Sequence, residues 1–139
     1  TMKNLHLPLV KKWFDMTKTG EKTEDYREIT PYWANRLIKG QTTAFWKGYL
    51  GGKEIFNSKT VRIYGFKDQE SIDYILAKCK GFKEFGNNIM TLGYPKKDNT
   101  ERILNLEHQG IEIRTGNPNW GAEPNKLYFV IKHGLNLNP

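Results

Sequence analysis

The residues best suited to chemistry stand together in segment 20–27, which reads GEKTEDYR. Arg27 offers a planar fork of donors and Lys22 a compact charge, so the two cations suit a phosphate or a carbonyl oxygen. Asp25 can orient either cation or accept a hydrogen bond from the edge of a base. In a regular strand Lys22 would point away from Asp25 and Arg27. The segment therefore predicts a site only if a turn after Gly20 brings Lys22 back to them.

The same charges have a plainer interpretation as a cluster of ion pairs on the surface. Such a pair contributes at most ~1 kcal/mol to stability and implies no ligand. Residue types and spacing alone favour this interpretation. A further signal is needed before segment 20–27 is assigned a binding role.

A catalytic arrangement can also be written with Lys22, Thr23 and Asp25 as its residues. A lysine removed from water has a lowered pKa and can then activate a hydroxyl, here that of Thr23, as a nucleophile. Neighbouring residues of a strand point to opposite faces, which argues against this pair. The sequence therefore permits an enzyme without favouring one.

Metal and cofactor sites find no support in the residue pattern. His6, His108 and His133 lack the spacing typical of metal ligands, and Cys79 is the only cysteine. We therefore expect no metal ion, no cofactor and no internal disulfide.

The positive charge of this basic chain is concentrated in residues 30–67. The formal net charge is +7. Residues 1–29 hold six basic and five acidic side chains, and residues 68–139 hold nine of each. In 30–67, seven basic residues face one acid, Glu54, and aromatic rings are interleaved with them. This pattern is typical of surfaces that bind single-stranded nucleic acid.

Trp33, Trp46 and Arg62 are the candidate binding residues of this segment. The rings of Trp33 and Trp46 can stack on exposed bases while the cations neutralise phosphates. Each stacked base contributes roughly 1–3 kcal/mol to binding. Any single ring is more simply explained as part of the core. The segregation of charge is therefore the stronger argument.

Local signals place segment 20–27 just after a short helix. Residues 5–9 alternate leucine with other residues as a strand does, and Pro8 indicates that this strand lies at a sheet edge or ends there. An apolar stripe then repeats with the period of a helix, and Gly20 stands where a left-handed cap would end it. The stripe comprises Val10, Trp13, Phe14 and Thr17.

Residues 22–29 are predicted to be a strand or an extended loop, and a second helix follows them. Thr30 is a good cap, and Pro31 suits the first helical position. We expect this helix to run to about Lys39 and to end at Gly40.

The remaining sequence predicts mainly strands. Residues 41–59 have no clean period and predict a long loop or irregular hairpin, followed by a strand near 61–66 and a helix from Asp68 to Gly81. Further strands are expected near 88–92, 102–107, 111–115 and 126–133, with a turn at Gln109 and Gly110. About six short strands and three short helices without regular βαβ alternation indicate an α+β fold with a small mixed β-barrel.

Length and hydropathy limit the organisation of the chain. Its 139 residues predict one domain over 2–135, followed by a short flexible tail over 136–139. No stretch approaches the roughly 18 apolar residues of a membrane helix. We therefore expect no association with a membrane and a cytoplasmic location.

Three stretches of the chain resemble the ASCH family, in its bacterial and phage-associated branch. The first is Gly20-x-Lys22-x-x-Asp25-x-Arg27, placed just after the first helix like the family's Gly-x-Lys-x-x-Glu-x-Arg signature. The others are residues 26–33 (YREITPYW) and residues 117–124 (NPNWGAEP), which lead into YFVIK at 128–132. Asp25 departs from the usual Glu and reaches about one methylene less far.

The resemblance implies a fold of the PUA-like superfamily, which is a small β-barrel. It implies a cleft lined by Lys22, Asp25 and Arg27, with Tyr26 beside them, and a role in binding RNA or nucleotides. Trp120 would form the far wall of the cleft or plug the end of the barrel. Some relatives hydrolyse an acylated nucleoside, and they carry a Thr where this chain has Asp25.

Three hypotheses follow. The first is a domain that binds RNA or a nucleotide in a basic cleft around the signature. The second is a hydrolase acting on a modified, acylated nucleoside or on RNA. The third is a protein-interaction module whose aromatic loop meets an acidic partner.

Overall fold

The computed structural model describes residues 2–40 and 81–138. Within them the chain forms a mixed α+β fold with a curled, half-barrel sheet of five strands and two helices. The predicted loop at 41–59, strand at 61–66 and helix beginning at Asp68 lie outside the described residues. The elements are β1 (Leu5–Leu9), α1 (Lys11–Lys18), β2 (Glu24–Arg27), α2 (Pro31–Leu37), β3 (Asn87–Leu92), β4 (Ile103–Thr115) and β5 (Leu127–Asn136).

The sheet has the strand order β1-β3-β4-β5-β2. β1 pairs in parallel with β3, and the other neighbours are antiparallel. Among the strands of residues 2–40 and 81–138, β1, which carries Pro8, is an outer strand, in agreement with the predicted edge position. Its leucines are buried and His6 is exposed, as the alternation predicted.

Helix α1 ends as predicted, but its stripe is narrower than expected. Phe14 and Thr17 are buried and Trp13 packs partly against the core. Val10 precedes the helix and is 65% exposed, so its place in the buried stripe was wrong. Gly20 has a φ of +86°, the left-handed conformation that glycine adopts without a steric cost.

Helix α2 is confirmed, with a cap at Thr30. The Thr30 hydroxyl accepts a hydrogen bond from the Trp33 N–H at 3.3 Å, and Pro31 is the first helical residue. The helix ends at Leu37, two residues before the predicted end. Ile38 instead turns into an extended conformation and forms an antiparallel bridge with Phe82.

The two strands predicted near 102–107 and 111–115 are one strand, β4. Its register against β5 shifts on both sides of His108, and Gly110 has a φ of +105°. A glycine in the left-handed region can make a bulge inside a strand as well as a turn. The predicted turn at Gln109 and Gly110 was therefore wrong.

The predicted flexible tail is hydrogen-bonded up to residue 138. Asn136 belongs to β5, and the Leu137 N–H donates to the Asn105 carbonyl at 2.7 Å. The Asn138 side chain accepts from the Asn105 N–H at 2.6 Å and donates to the Ile103 carbonyl at 2.9 Å. These bonds join residues 136–138 to β4.

The main core joins both helices to the sheet. Its fully buried side chains include Phe14, Leu37, Met90, Leu104, Phe129 and Ile131. A smaller cluster of Ala122, Tyr128 and Val130 packs with Tyr26. Within the described ranges, neither helix is long and apolar enough to cross a bilayer.

Candidate functional site

Lys22 is carried into the protein by the turn after α1. The Lys22 N–H donates to the Met16 carbonyl at 3.0 Å, which folds the chain back against the helix before β2 begins. The side chain is buried, and its Nζ donates to the Glu24 carbonyl at 2.5 Å and to Asp25 Oδ1 at 3.4 Å. The condition set for a site in segment 20–27, a turn that brings Lys22 back to Asp25, is therefore met.

Asp25 joins the two cations of the signature. Its Oδ1 faces Lys22, and its Oδ2 accepts from Arg27 Nε at 2.6 Å. Lys22 and Asp25 are only 3% and 4% exposed, so this is a buried ion-pair network and not a surface cluster. Burial lowers the pKa of Lys22, although the charge of Asp25 opposes that shift.

Arg27 binds Asp25 through Nε, and its other end extends to β1, at the opposite end of the described strand order. Its Nη2 donates to the Pro8 carbonyl of β1 at 2.8 Å, and its Cζ lies 4.9 Å from the ring centroid of Trp33. Trp33 in turn packs against the core and contacts Tyr32 edge to face at 5.1 Å. Arg27 and Trp33 were predicted to bind ligand, but neither is among the described residues that line the cleft of Lys22 and Asp25.

Lys22 and Asp25 lie in a cleft of about 230 Å³. Four aromatic rings line the same cleft, two of which, Tyr26 and Trp120, were predicted as binding residues. Trp120 thus lies in the wall of the cleft. The lining residues are Trp13, Lys22, Asp25, Tyr26, Glu28, Trp120, Gly121, Glu123 and Tyr128.

The described lining of the cleft is not basic, contrary to expectation. It includes Lys22 together with three carboxylates, those of Asp25, Glu28 and Glu123. Lys126 binds Glu28 at 2.7 Å and Glu123 at 3.0 Å. Most of the basic excess lies in the part of segment 30–67 outside the described residues, and so do Trp46 and Arg62.

A chain of hydrogen bonds from β2 holds the wall that carries Trp120. The Tyr26 hydroxyl donates to Glu24 Oε1 at 2.6 Å and accepts from the Asn117 N–H at 2.9 Å. Arg114 binds Glu24 with two donors, at 3.1 and 2.5 Å. Burial and the Glu24 carboxylate raise the pKa of Tyr26 to about 12, so its hydroxyl stays protonated at neutral pH.

Two glycines let the walls approach closely. A β-carbon on Gly116 would stand 2.7 Å from Cε1 of Tyr26. One on Gly121 would stand 2.9 Å from Cζ2 of Trp13, and Gly121 also has a φ of +101°. Both distances are too short for any larger residue without a shift of the aromatic ring.

Thr23 faces a different cavity from Lys22. It is exposed and lines a space of about 310 Å³ together with Glu24, Lys132 and His133. Lys22 is not part of that lining. The structure therefore does not bring Lys22 and Thr23 together as base and nucleophile.

A buried Asn88 joins two histidines that the sequence left unassigned. Its side chain lies 2.7 Å from His133 Nδ1 and 2.7 Å from His108 Nδ1, and its Nδ2 donates to the Lys132 carbonyl at 3.3 Å. The Lys132 bond fixes the amide so that it donates to His133 and accepts from His108. Burial lowers the pKa of His133 to about 4, so its ring is neutral at pH 7.

Sequence reasoning missed several residues of the cleft. Trp13 was assigned to a buried helical stripe, and Tyr128, Glu28 and Glu123 lie in the stretches that resemble the family but were not named as site residues. The stretch 117–124, singled out for its family resemblance, was the useful indication that this part of the chain forms a wall. Among residues 2–40 and 81–138, no group of three or more His, Cys, Asp or Glu side chains is placed to hold a metal ion.

Lys22, Asp25, Tyr26 and Trp120 are thus the predicted residues that share one site. The site offers a buried cation, a buried carboxylate and flat apolar rings. Comparison of the chain with protein-family models, with curated proteins and with solved structures gives no match.

Proposed function

We propose that this chain binds single-stranded RNA or a nucleotide and takes one base into the aromatic cleft. The observation that carries the proposal is the combination of a buried Lys22–Asp25 pair with four aromatic rings in one lining. A base has a flat face for the rings and polar edges for the charged pair. Few other common ligands combine these two features in so small a volume.

The rings provide a surface for stacking. Trp13 and Trp120 are the largest, and Tyr26 lies 5.7 Å from Tyr128 between ring centroids at a tilt of 44°. Stacking of a base on an aromatic side chain contributes roughly 1–3 kcal/mol to binding. The cleft volume of about 230 Å³ is below the ~300–1,000 Å³ of typical drug-sized sites, which favours a single ring system.

The polar pair provides donors and acceptors for the edge of the base. An ammonium group has three donors, and Lys22 uses two of them within the described structure, on the Glu24 carbonyl and on Asp25. No acceptor among residues 2–40 and 81–138 is recorded for the third, and we assign it to a carbonyl oxygen of the base. Each Asp25 oxygen accepts one described bond and retains a lone pair for an exocyclic amine. Burial strengthens these bonds because water does not compete for them.

The proposal includes membership of the ASCH family and of the PUA-like superfamily. The turn from α1 into Gly20–Arg27 has the family's order of elements, and the curled sheet of five strands is compatible with a small barrel. The basic residues of segment 30–67 would then attract the phosphates. Binding should weaken steeply with salt for that reason.

Binding of short fluorescent RNAs at low and moderate salt tests the proposal. Trp120→Ala should weaken binding roughly 5- to 150-fold, the equivalent of one stacked base. Trp120→Tyr, which keeps a flat ring, should recover most of the affinity. Lys22→Met should also weaken binding, whereas Lys18→Met, at an exposed lysine of α1 outside the cleft, should not.

Thermal unfolding of each variant separates loss of the site from loss of the fold. The proposal is wrong if the folded chain binds no RNA and no nucleotide at low ionic strength. The site is wrong if RNA binds and the Trp120 and Lys22 variants bind as well as the parent chain.

Hydrolysis of an acylated nucleoside is the second candidate, because the lowered pKa of Lys22 suits a base. Incubation with acylated nucleosides should then give turnover that Lys22→Met removes. Thr23→Ala should leave the turnover unchanged, since Thr23 faces another cavity. Turnover that survives Lys22→Met would contradict this assignment.

A further inference from the structure

We propose that the loop between β3 and β4, residues 93–102, is a second contact site for the same RNA strand. Tyr94 would stack on a base outside the cleft, and Lys96, Lys97 and Arg102 would bind phosphates. This inference rests on the proposed function. It adds a surface that the family resemblance and the cleft do not include.

Tyr94 is the most exposed large apolar side chain in the described residues, at 92%. It borders a groove of about 330 Å³, which Lys96 and Arg102 also line. A free ring beside cations is the arrangement that binds single-stranded nucleic acid, because each nucleotide offers both a flat face and a charge.

Hydrogen bonds order the backbone of the loop on both sides of Tyr94. Gly93 has a φ of +68°, and its carbonyl accepts from the Thr91 hydroxyl at 2.8 Å. The Asn99 N–H donates to the Lys96 carbonyl at 3.0 Å, and the Arg102 N–H donates to the Asn99 carbonyl at 3.1 Å. A surface ordered before binding costs less conformational entropy when the ligand arrives.

The loop also begins beside the end of β1, the strand that leads into α1. The Gly93 N–H donates to the Leu9 carbonyl at 3.2 Å, just before α1 begins. On α1, the Nζ of Lys12 lies 4.7 Å from the ring centroid of Trp13, and Trp13 lines the cleft. Lys12 thus lies beside a ring of the cleft, where it could bind a phosphate of a strand that enters the cleft.

The exposed ring of Tyr94, more than the local charge, favours RNA over an acidic peptide. Residues 93–102 hold three basic side chains and two acids, Asp98 and Glu101, so their net charge is only +1. A purely acidic partner would gain little from so small an excess. A nucleic acid strand also gains from stacking on Tyr94.

Two lengths of RNA test the inference. A dinucleotide should occupy only the cleft, whereas a strand of about 12 nucleotides should reach both sites. Tyr94→Ser should weaken binding of the longer strand roughly 5- to 150-fold and leave the dinucleotide unaffected. Tyr94→Phe keeps the ring and should bind both like the parent chain. Replacing Lys96 and Lys97 by Gln should reduce the salt dependence for the longer strand alone.

The outcomes separate this inference from the proposed function. The second site is wrong if the dinucleotide binds through Trp120 but the longer strand binds no tighter. It is also wrong if Tyr94→Ser changes the affinity of neither RNA. In both cases the proposal for the cleft is unaffected. If neither RNA binds, both proposals fail. If a Glu-rich peptide binds instead and Tyr94→Ser abolishes that binding, the loop serves a protein partner and the RNA assignment is overturned.

Discussion

The indole ring of Trp13 lies against the backbone of Gly121, with Cζ2 only 2.9 Å from where a β-carbon of that glycine would stand. One residue comes from α1 and the other from the turn after Trp120, so the contact joins two elements that line the cleft. Gly121 meets two demands at once, a φ of +101° and the absence of a side chain.

Gly121→Ala should destabilise the protein and move the Trp13 ring. Gly20→Ala is the matched control, because Gly20 has a φ of +86° but no described atom within 4 Å of where its β-carbon would stand. Both variants carry the cost of a left-handed alanine, roughly 1–2 kcal/mol. Only Gly121→Ala adds overpacking, typically about 1–3 kcal/mol more. Chemical denaturation measures the difference, and equal losses would contradict the close contact.

Tyr26→Phe should loosen the wall of the cleft. The substitution removes the hydroxyl that donates to Glu24 and accepts from Asn117, and it leaves the Asn117 N–H without that partner. We expect a loss of about 1–3 kcal/mol in the free energy of unfolding. Tyr32→Phe, at a ring that is 60% exposed, should change it by less than ~0.5 kcal/mol. Similar effects for the two variants would show that the hydrogen bonds contribute little.

Arg27→Met should destabilise the fold strongly, although Arg27 is not among the residues that line the cleft. The substitution removes the 2.6 Å bond to Asp25 and leaves that buried carboxylate with Lys22 as its one described cation. Breaking a buried pair on one side costs about 3–5 kcal/mol. Lys11→Met breaks an exposed pair with Asp15 and should cost less than ~1 kcal/mol. Urea denaturation of both variants checks the ranking.

Acid should destabilise the protein between pH 6.5 and about 4 because of His133. The pKa of His133 is lowered to about 4 in the folded protein. Below the ordinary value near 6.5, the unfolded chain therefore binds a proton at this residue while the folded chain does not. Stability from this group is complete above pH 6.5 and falls by up to about 3 kcal/mol as the pH approaches 4.

The test is the free energy of unfolding measured across that pH range. His133→Gln should flatten its slope, whereas His6→Gln, at an exposed residue, should not. Titration of the His133 ring by NMR should give a midpoint near pH 4. A midpoint near 6.5 would contradict the effect of burial.

Local signals in the sequence predicted what lies close along the chain. Gly20 ends α1, Thr30 caps α2 and Pro8 lies in an outer strand, because each residue acts on its own backbone or on neighbours a few positions away. The return of Lys22 to Asp25 was only a condition at that point, because strand alternation alone points the two side chains apart. The turn that meets the condition depends on the bond from the Lys22 N–H to the Met16 carbonyl.

Contacts between distant residues could not be predicted in this way. Glu24 binds Arg114, which lies ninety positions away in the sequence. Asn88 of β3 binds His133 of β5, and β4 lies between these two strands. These pairs depend on strand order and register, for which no local pattern exists. Gly110 illustrates the same limit, because a glycine at positive φ suits a turn and a bulge equally, and only the pairing of β4 with β5 decides between them.

The Arg27–Pro8 bond joins the two outer strands of the sheet. β1 and β2 end the described strand order on opposite sides, and the guanidinium of one binds the carbonyl of the other. An outer strand with free backbone groups invites another molecule to add to it, which leads to aggregation. Pro8 has no N–H to offer, and its carbonyl is already occupied. Within the described strand order, the side chain that binds Asp25 thus also occupies a backbone acceptor at the edge of the sheet, one that another molecule would otherwise use.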